Sequence, residues 1–264
     1  MWIAGAIALV VAVGLAIGSV LTRRKLFAIQ STDTARAKDL QQLAGEVGAE
    51  IGGGAFRQRA EVKGRIVCDD PLVSELAKVP CVHYEMRVVQ EYEETYWERN
   101  DKGDNVRRTR RGSETVAHNA RSVPFVVEDE SGRVEVDPTG ADLVTEKVCS
   151  RFDPEPPSEN ALKLGGLSVS WGGGIPTTGR RVLGLSYEEE AIPVGRDIYV
   201  LGEASDRSGR LRVEKPEDGG HFLVSLKSEE QLVASARSKA TGLAVAAALV
   251  GLIGVGLVVY DLVR

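Results

Sequence analysis

Cys81 and His83 are the residues whose types and spacing come closest to metal chemistry. They stand two positions apart in a segment of strand-like alternation, which places both side chains on one face, and zinc commonly takes thiolate and imidazole ligands. A closed zinc site needs four ligands, and no second Cys/His pair with matching spacing occurs in the chain. We therefore predict no metal site. The simpler interpretation of Cys81 and His83 is a half-buried strand edge.

A dense basic cluster offers a second kind of chemistry, the binding of anions. Its members are Arg107, Arg108, Arg110 and Arg111, with Arg99 and Lys102 across a predicted turn. Near a bilayer each such charge contributes about 1 kcal/mol to the attraction for anionic lipids, and RNA or an acidic protein surface are alternative ligands. Four nearby acids dilute the charge: Glu98, Asp101, Asp104 and Glu114. The four arginines are our candidate lipid- or partner-binding site, set against a merely solvated hairpin tip.

No other motif completes a catalytic or cofactor site. Gly174–Arg181 has the outline of a phosphate-binding loop but lacks its Lys and Ser/Thr. The acidic run Glu128–Glu130 resembles part of a calcium loop without the required spacing. His118 and His221 are solitary. We predict no catalytic residues and no cofactor.

Composition favours one folded domain that does not bind nucleic acid. The chain has 264 residues, 27% of them charged, and a net charge of −5, which gives no general attraction for nucleic acid. Its three cysteines form no CxxC pair and are interpreted as buried free thiols.

Two apolar stretches are long enough to cross a bilayer. Thr241–Tyr260 is free of charge and spans about 30 Å as a helix, and Trp2–Leu21 has Ser19 as its one polar residue. Basic residues flank both stretches on the domain side: Arg23, Arg24, Lys25, Arg36, Arg237 and Lys239. We expect a two-pass protein of a prokaryotic plasma membrane, for which the positive-inside rule then predicts a cytoplasmic domain and both termini outside.

Small residues recur at four-residue spacing in both stretches. Gly14 and Gly18 form a GxxxG pattern in the first, and Ala247 and Gly251 match them in the second. Such residues let helix backbones approach closely. Packing of the two spans on each other is the plainer explanation, and a homo-oligomer contact is the alternative.

Between the spans the pattern predicts an α+β fold, a β-rich domain of antiparallel hairpins between two transmembrane helices. Ser31–Ile51 and Pro71–Lys78 are predicted helices, and Cys81–Trp97 is the clearest strand, with Val106–His118 returning beside it. The predicted division is as follows: 1–22 first span, 23–59 juxtamembrane helix and linker, 60–227 β-rich domain, 228–240 connecting helix, 241–260 second span, 261–264 tail.

Three segments together resemble the GIDE-type (BAM) domain family. They are Val62–Glu85, Phe125–Ala141 and Tyr187–Ala204, the last with the pattern E-x-x-I-P-x-G-x-x-x-Y-V-x-G. The resemblance includes the order span, domain, span. The eukaryotic members of this family are membrane ubiquitin and SUMO ligases of mitochondria (MULAN, also called MAPL) and their chloroplast relatives, in which a C-terminal RING finger follows the two-span unit.

The resemblance implies a RING-type E3 ubiquitin transferase, but the RING ligands are not in this sequence. A RING holds two zinc ions with eight Cys/His ligands, whereas this chain has 3 Cys and 3 His, and four residues follow the second predicted span. We expect a member without the RING, a non-catalytic scaffold that binds a protein or lipid partner at the bilayer. The alternatives are a ligase component and a structural membrane-organising oligomer. The mitochondrial members also imply a domain in the intermembrane space, opposite to the orientation that the charges predict.

Overall fold

The fold combines three helices with fourteen strands in a computed structural model, which describes residues 2–30, 32, 34–101, 103–154, 161–164, 167–170 and 180–263. The helices are α1 (Trp2–Gln30), α2 (Ala37–Ile51) and α3 (Glu229–Val263). The strands are β1 (Arg57–Val67), β2 (Leu72–Val73), β3 (Pro80–Arg99), β4 (Asn105–Ser122), β5 (Phe125–Glu128), β6 (Arg133–Val136), β7 (Asp142–Val144), β8 (Glu146–Asp153), β9 (Ala161–Leu164), β10 (Leu167–Ser170), β11 (Arg180–Pro193), β12 (Asp197–Ser205), β13 (Arg212–Glu214) and β14 (Leu223–Ser225).

Five strands close into a small barrel. The circuit runs β1-β5-β6-β13-β12 and returns to β1, and β14 with β7 extends the sheet from β12. All contacts in the circuit are antiparallel except that of β6 with β13. This connectivity is that of the OB-fold, a five-stranded Greek-key barrel. A fold of this kind does not by itself define a function.

The second sheet is built from two insertions into the barrel. The first insertion, between β1 and β5, supplies β2, β3 and β4, and the second, between β6 and β12, supplies β8 and β11. Within the sheet β3 pairs with β4 on one side and with β11 on the other. Because β3 and β4 are much longer than the barrel strands, they form a hairpin that reaches well beyond the barrel.

The main hydrophobic core fills the barrel and includes one face of α2. Leu40 and Ala37 of α2 are almost fully buried against Val62, Val136 and Val200 of the barrel wall. This burial follows the alternation of the strands, in which every second residue points inward. The helix therefore belongs to the barrel domain.

The long helices α1 and α3 pack against each other as an antiparallel pair. A Cβ placed on Gly5 would lie 3.0 Å from the carbonyl oxygen of Gly254, so the backbones meet closely there. Further along, the hydroxyl of Ser19 donates to the carbonyl of Ala240 at 3.0 Å. Both helices are long and apolar enough to cross a membrane, with mean hydropathy of 2.5 and 2.6 in their most apolar windows, and most of that surface is exposed.

The strands predicted from alternation are confirmed, but two helix predictions are wrong in part. Pro71–Lys78 forms β2 followed by bends, because Leu72 and Val73 pair with Cys81 and Pro80. The predicted helix Ser31–Ile51 begins only at Ala37, because Ala35 donates its N–H to the carbonyl of Glu61 in β1.

The prediction of antiparallel hairpins also needs correction. Two strand pairs, β6 with β13 and β7 with β14, are parallel. Both join strands that are far apart in sequence, so no local turn signal marks them. β-rich architecture between two long apolar helices is confirmed, but it is a barrel with an added sheet.

Candidate functional site

The hairpin of β3 and β4 carries the four predicted arginines. Its register pairs Trp97 with Arg107, Tyr96 with Arg108, Glu94 with Arg110 and Glu93 with Arg111. Every residue from Asn105 to Arg111 is exposed. The structure thus brings all four arginines together on one exposed strand, as predicted. Lys102, across the turn, lies outside the described residues.

Three of these arginines already have acidic neighbours on β3. The distances between nitrogen and carboxylate oxygen are 3.0 Å for Arg108 and Glu98, 2.8 Å for Arg110 and Glu94, and 3.8 Å for Arg111 and Glu93. Such exposed pairs add little stability, about 0–1 kcal/mol each. Arg107 forms no ion pair within the described part of the chain. The positive charge of the strand is therefore least neutralised at Arg107 and Arg111.

Tyr92 and Tyr96 lie on the same face of the hairpin as Arg108 and Arg110, opposite to the face of Arg107 and Arg111. The guanidinium of Arg180 lies 3.5 Å from the centre of the Tyr92 ring, and that of Arg110 lies 5.5 Å from the Tyr96 ring. The Tyr92 ring lies over Gly112, where an added Cβ would be 2.7 Å from the ring. These contacts stiffen the hairpin and hold β4 flat against β3.

Trp97 stands apart from this packing. Its side chain is 70% exposed and lies on the same face as Arg107 and Arg111. Trp and Arg are the residue types most enriched among the residues that dominate binding energies at protein interfaces. Trp97 was predicted only as the end of a strand, although its position beside a turn and a basic run is a signal that the sequence contains.

Cys81 and His83 are close in sequence, but the structure does not bring them together into one site. A β-bulge at Val82 separates them, because Pro193 pairs with Cys81 and Ile192 with His83. Burial, reinforced by the charge of Glu189, raises the pKa of the Cys81 thiol to about 11. His83 is hydrogen-bonded through Nδ1 to the Ser122 hydroxyl at 2.8 Å, and burial lowers its pKa. Among the described residues no group of three or more His, Cys, Asp and Glu side chains is arranged to hold a metal ion.

Glu189 is a buried carboxylate that the sequence analysis missed. It is fully buried on β11 and accepts hydrogen bonds from three successive backbone N–H groups, at 2.7 Å from Glu75, 3.0 Å from Leu76 and 2.7 Å from Ala77. These bonds compensate its charge and hold the loop between β2 and β3 in place. The sequence contained a signal for this burial. In a strand the side chain of Glu189 points to the opposite face from those of Glu188 and Glu190.

A second buried carboxylate, Glu61, lies where the barrel meets the long helices. It accepts hydrogen bonds from the Tyr199 hydroxyl at 2.8 Å and from the Thr34 hydroxyl at 2.6 Å. Lys63 Nζ lies 2.9 Å from Glu61 and 2.8 Å from Glu229 in the first turn of α3. One lysine therefore links the barrel wall to α3, while Thr34 links the α1–α2 connection to the same carboxylate.

A cavity of about 1080 Å³ opens beside this junction. Its lining includes both charge types, among them Lys63, Arg65, Glu130 and Glu229. Asp129, also at its edge, accepts a hydrogen bond from the N–H of Ala37 at 2.8 Å and so caps α2. The acidic run Glu128–Glu130 thus supports a helix start. The described part of Gly174–Arg181 begins at Arg180, so the predicted phosphate-loop outline lies outside the described residues.

Comparison with known proteins identifies the family. The sequence profile of the GIDE family, described as "E3 Ubiquitin ligase", matches residues 93–259, which is more than half of the chain. The chain belongs to the GIDE family. The matched segment runs from the end of β3 through the barrel strands β5, β6, β12 and β13 into α3, so the GIDE match includes the second apolar helix.

Two curated proteins from Arabidopsis thaliana are similar to this chain. One, named E3 ubiquitin-protein ligase SPL1, is 27% identical over 126 residues, covering 46% of this chain and 34% of the relative. The other, E3 ubiquitin-protein ligase SP1, is 29% identical over 179 residues, covering 66% of this chain and 46% of the relative. The chain thus spans less than half the length of either relative. No solved structure matches it.

Proposed function

We propose that this GIDE chain is a membrane-anchored, non-catalytic interaction module that presents its hairpin to a protein close to the bilayer. The observation that supports it most is the junction at Lys63, where one side chain contacts Glu61 of the barrel and Glu229 of α3. This contact joins the barrel wall to the first turn of α3, the helix that continues into the second apolar segment. A domain held in this way is concentrated near any partner in the same membrane.

The two long helices act as anchor and stalk. Their exposed apolar surface has no counterpart in the described protein and is suited to lipid. The charged start of α3, from Glu229 to Lys239, adds about 18 Å of helix before the apolar segment begins. The barrel therefore stands clear of the hydrocarbon core, within reach of the parts of membrane proteins that project from the bilayer.

The partner of the arginine cluster is proposed to be a protein. Lipid headgroups respond mainly to net charge, and Glu98, Glu94 and Glu93 offset much of the charge of the cluster. The exposed Trp97 beside Arg107 offers in addition the apolar contact that protein interfaces use. Following the charge bias around the spans, the barrel is proposed to face the cytoplasm of a prokaryotic cell. A protease-cleavable tag after Arg264 that is removed only from outside supports this orientation, whereas removal only from the cytoplasmic side contradicts it.

A ligase role is the second candidate, because both relatives are named E3 ubiquitin-protein ligases. A RING finger needs eight zinc ligands, and these 264 residues contain 3 Cys and 3 His. We therefore propose that any ubiquitin transfer by this chain depends on a catalytic domain supplied from elsewhere.

The deciding experiment measures anchoring and catalysis on the same preparation. Membranes that contain the full chain are washed with alkaline carbonate, and the solubilised chain is then incubated with ubiquitin, activating enzyme and conjugating enzymes. We expect retention in the washed membranes and no ubiquitin product above the level without the chain. Release by carbonate contradicts the anchor, and robust ubiquitin chains contradict the non-catalytic role.

A further inference from the structure

The outer edge of β4 is an open strand edge. Among the described residues β4 pairs with β3 alone, and its register is unbroken from Asn105 to Thr115, where a bulge at Val116 interrupts it. An open edge presents backbone donors and acceptors to any extended chain that comes beside it. The segment between the turn and the bulge is long enough to pair with about ten residues of a partner.

The direction of each backbone group on this edge follows from the turn. Asn100 donates its N–H to the carbonyl of Asp104 at 2.9 Å, so this pair is hydrogen-bonded across the hairpin. Hydrogen-bonded and non-hydrogen-bonded pairs alternate along an antiparallel ladder. The backbone groups of Arg108 and Arg110 therefore point toward β3, and those of Arg107, Thr109 and Arg111 point outward to the open edge.

The positive charge of two arginines on β4 determines which kind of partner strand can pair with its open edge. Arg107 and Arg111 flank Thr109 on one face. Among the described residues Arg107 has no acidic partner, and the ion pair of Arg111 with Glu93 is a long one, at 3.8 Å. Side chains directly opposite each other on neighbouring strands lie about 5 Å apart, so a strand with carboxylates at alternate positions meets both arginines. A second copy of β4 in antiparallel register would instead place Arg107 opposite Arg111.

We infer that the edge of β4 binds an acidic, extended segment of a partner protein as an added β-strand, with the outward backbone of Arg107, Thr109 and Arg111 pairing to it and the two arginines selecting its carboxylates. This inference rests on the proposed interaction function and names the chemistry of the partner.

The test uses the full chain in detergent micelles and a fluorescent ten-residue peptide of alternating Glu and Val, with a Lys/Val peptide as control. Fluorescence anisotropy should show binding of the Glu peptide and not of the Lys peptide. The charge reversals Arg107→Glu/Arg111→Glu should weaken binding of the Glu peptide at least tenfold. The same variant should now bind the Lys peptide. The inference is overturned if the wild type binds both peptides equally well or binds neither of them.

A matched pair of variants separates strand addition from simple charge attraction. Thr109→Pro removes the central outward N–H, and Pro is tolerated at edge positions whose N–H faces solvent, whereas Thr109→Val keeps the N–H and changes only the side chain. Thr109→Pro should weaken binding of the Glu peptide at least tenfold. Thr109→Val should bind this peptide with an affinity within about twofold of that of the wild type. Equal affinity of the two variants contradicts strand addition.

Amide hydrogen exchange of the wild type provides a measurement that does not depend on a variant folding. The peptide should slow exchange at Arg107, Thr109 and Arg111 and leave Arg108 and Arg110, already bonded to β3, unchanged. Uniform slowing or none contradicts the inference. Slowing of the same outward amides without peptide at high protein concentration would identify a second copy as the occupant and overturn it. Slowing by phosphatidylserine in place of peptide would identify lipid and overturn it as well. Because purified chain in micelles is used, the outcome is independent of membrane retention and of ubiquitin transfer.

Discussion

Tyr199 donates its phenolic O–H to the carboxylate of Glu61 at 2.8 Å, with both side chains at least 98% buried. Burial, together with this bond to a carboxylate, raises the pKa of Tyr199 far above its ordinary value. A buried carboxylate is costly unless it is paired and hydrogen-bonded, and Glu61 obtains both through Lys63 and Thr34. The junction of the barrel with α3 therefore combines the charge pairs of Lys63 with the apolar packing of Leu232 and Val233 on the barrel.

Lys63→Met should destabilise the protein by about 2–3 kcal/mol, because Glu61 then stays buried without its cation. The lower end of the usual range applies, since the Lys63 side chain is 40% exposed. The free energy of unfolding from denaturant titration in micelles checks this. The double variant Glu61→Gln/Lys63→Met should recover part of the loss, and a double variant as unstable as Lys63→Met would contradict the explanation.

Asp129→Ala should cost about 1 kcal/mol, because α2 loses the cap that another element supplies to Ala37. Exposed Glu130→Ala is the matched control and should change stability little. Thermal unfolding of the three chains measures the difference. Similar losses in both variants would assign the effect to net charge.

The cap should also depend on pH. Burial acts to raise the pKa of Asp129, but hydrogen bonds from Ser131, Ala37 and Gly132 outweigh it and leave that pKa below its ordinary value of 3.8. The contribution is therefore complete above pH about 4 and is lost as pH falls through the lowered pKa. Wild type and Asp129→Ala should differ in stability at neutral pH and converge in acid. A constant difference down to pH about 2 would contradict this.

Glu189→Gln should destabilise by about 1–3 kcal/mol, because one of its oxygens becomes an NH₂ donor that faces the N–H groups of Glu75–Ala77. Its neighbour Glu188 is the control, since it is exposed and forms a surface ion pair with Lys147 at 3.2 Å. Glu188→Gln should be nearly neutral in the same denaturant titration. Equal effects of the two substitutions would show that the loop bonds contribute little.

Gly5→Leu should separate α1 from α3, because even a Cβ there would be 2.7 Å from Val258 and 3.0 Å from the Gly254 carbonyl. Gly14→Leu is the control within the predicted small-residue set, since a Cβ on Gly14 meets nothing within 4 Å. Disulfide crosslinking between the two helices in membranes should fall for Gly5→Leu and persist for Gly14→Leu. If Gly14→Leu instead abolishes an intermolecular crosslink, the homo-oligomer alternative is correct.

The sequence predicted elements with strong local signals. Alternation identified the paired strands from Cys81 to His118, and the apolar runs identified both long helices. Ser228 was rightly assigned to the start of α3, where its hydroxyl accepts a bond from the N–H of Gln231 at 3.4 Å and Gln231 bonds back to Ser228. Gly18 and Gly251 do face the partner helix, whereas the close contact at Gly5 and Gly254 was missed.

The sequence could not predict what depends on distant pairing. The barrel closes through nine pairs between β1 and β12, and only the folded chain shows that Glu61 then meets Tyr199 and Lys63. For the same reason the arginines were found as a cluster, while the alternating direction of their backbone groups required the register of the turn. The local sequence shows which side chains are present. The residues that they contact in the folded protein lie far away in the sequence.

The pairing of β1 with β12 means that the barrel can close only late in the synthesis of the chain. Residues 57–67 leave the ribosome long before residues 197–205, so the first wall of the barrel waits without its partner while the intervening chain is synthesised. By then α1 and α2 have been synthesised, and the barrel can close only once β12 has followed, when α3 is the one described helix still to be made.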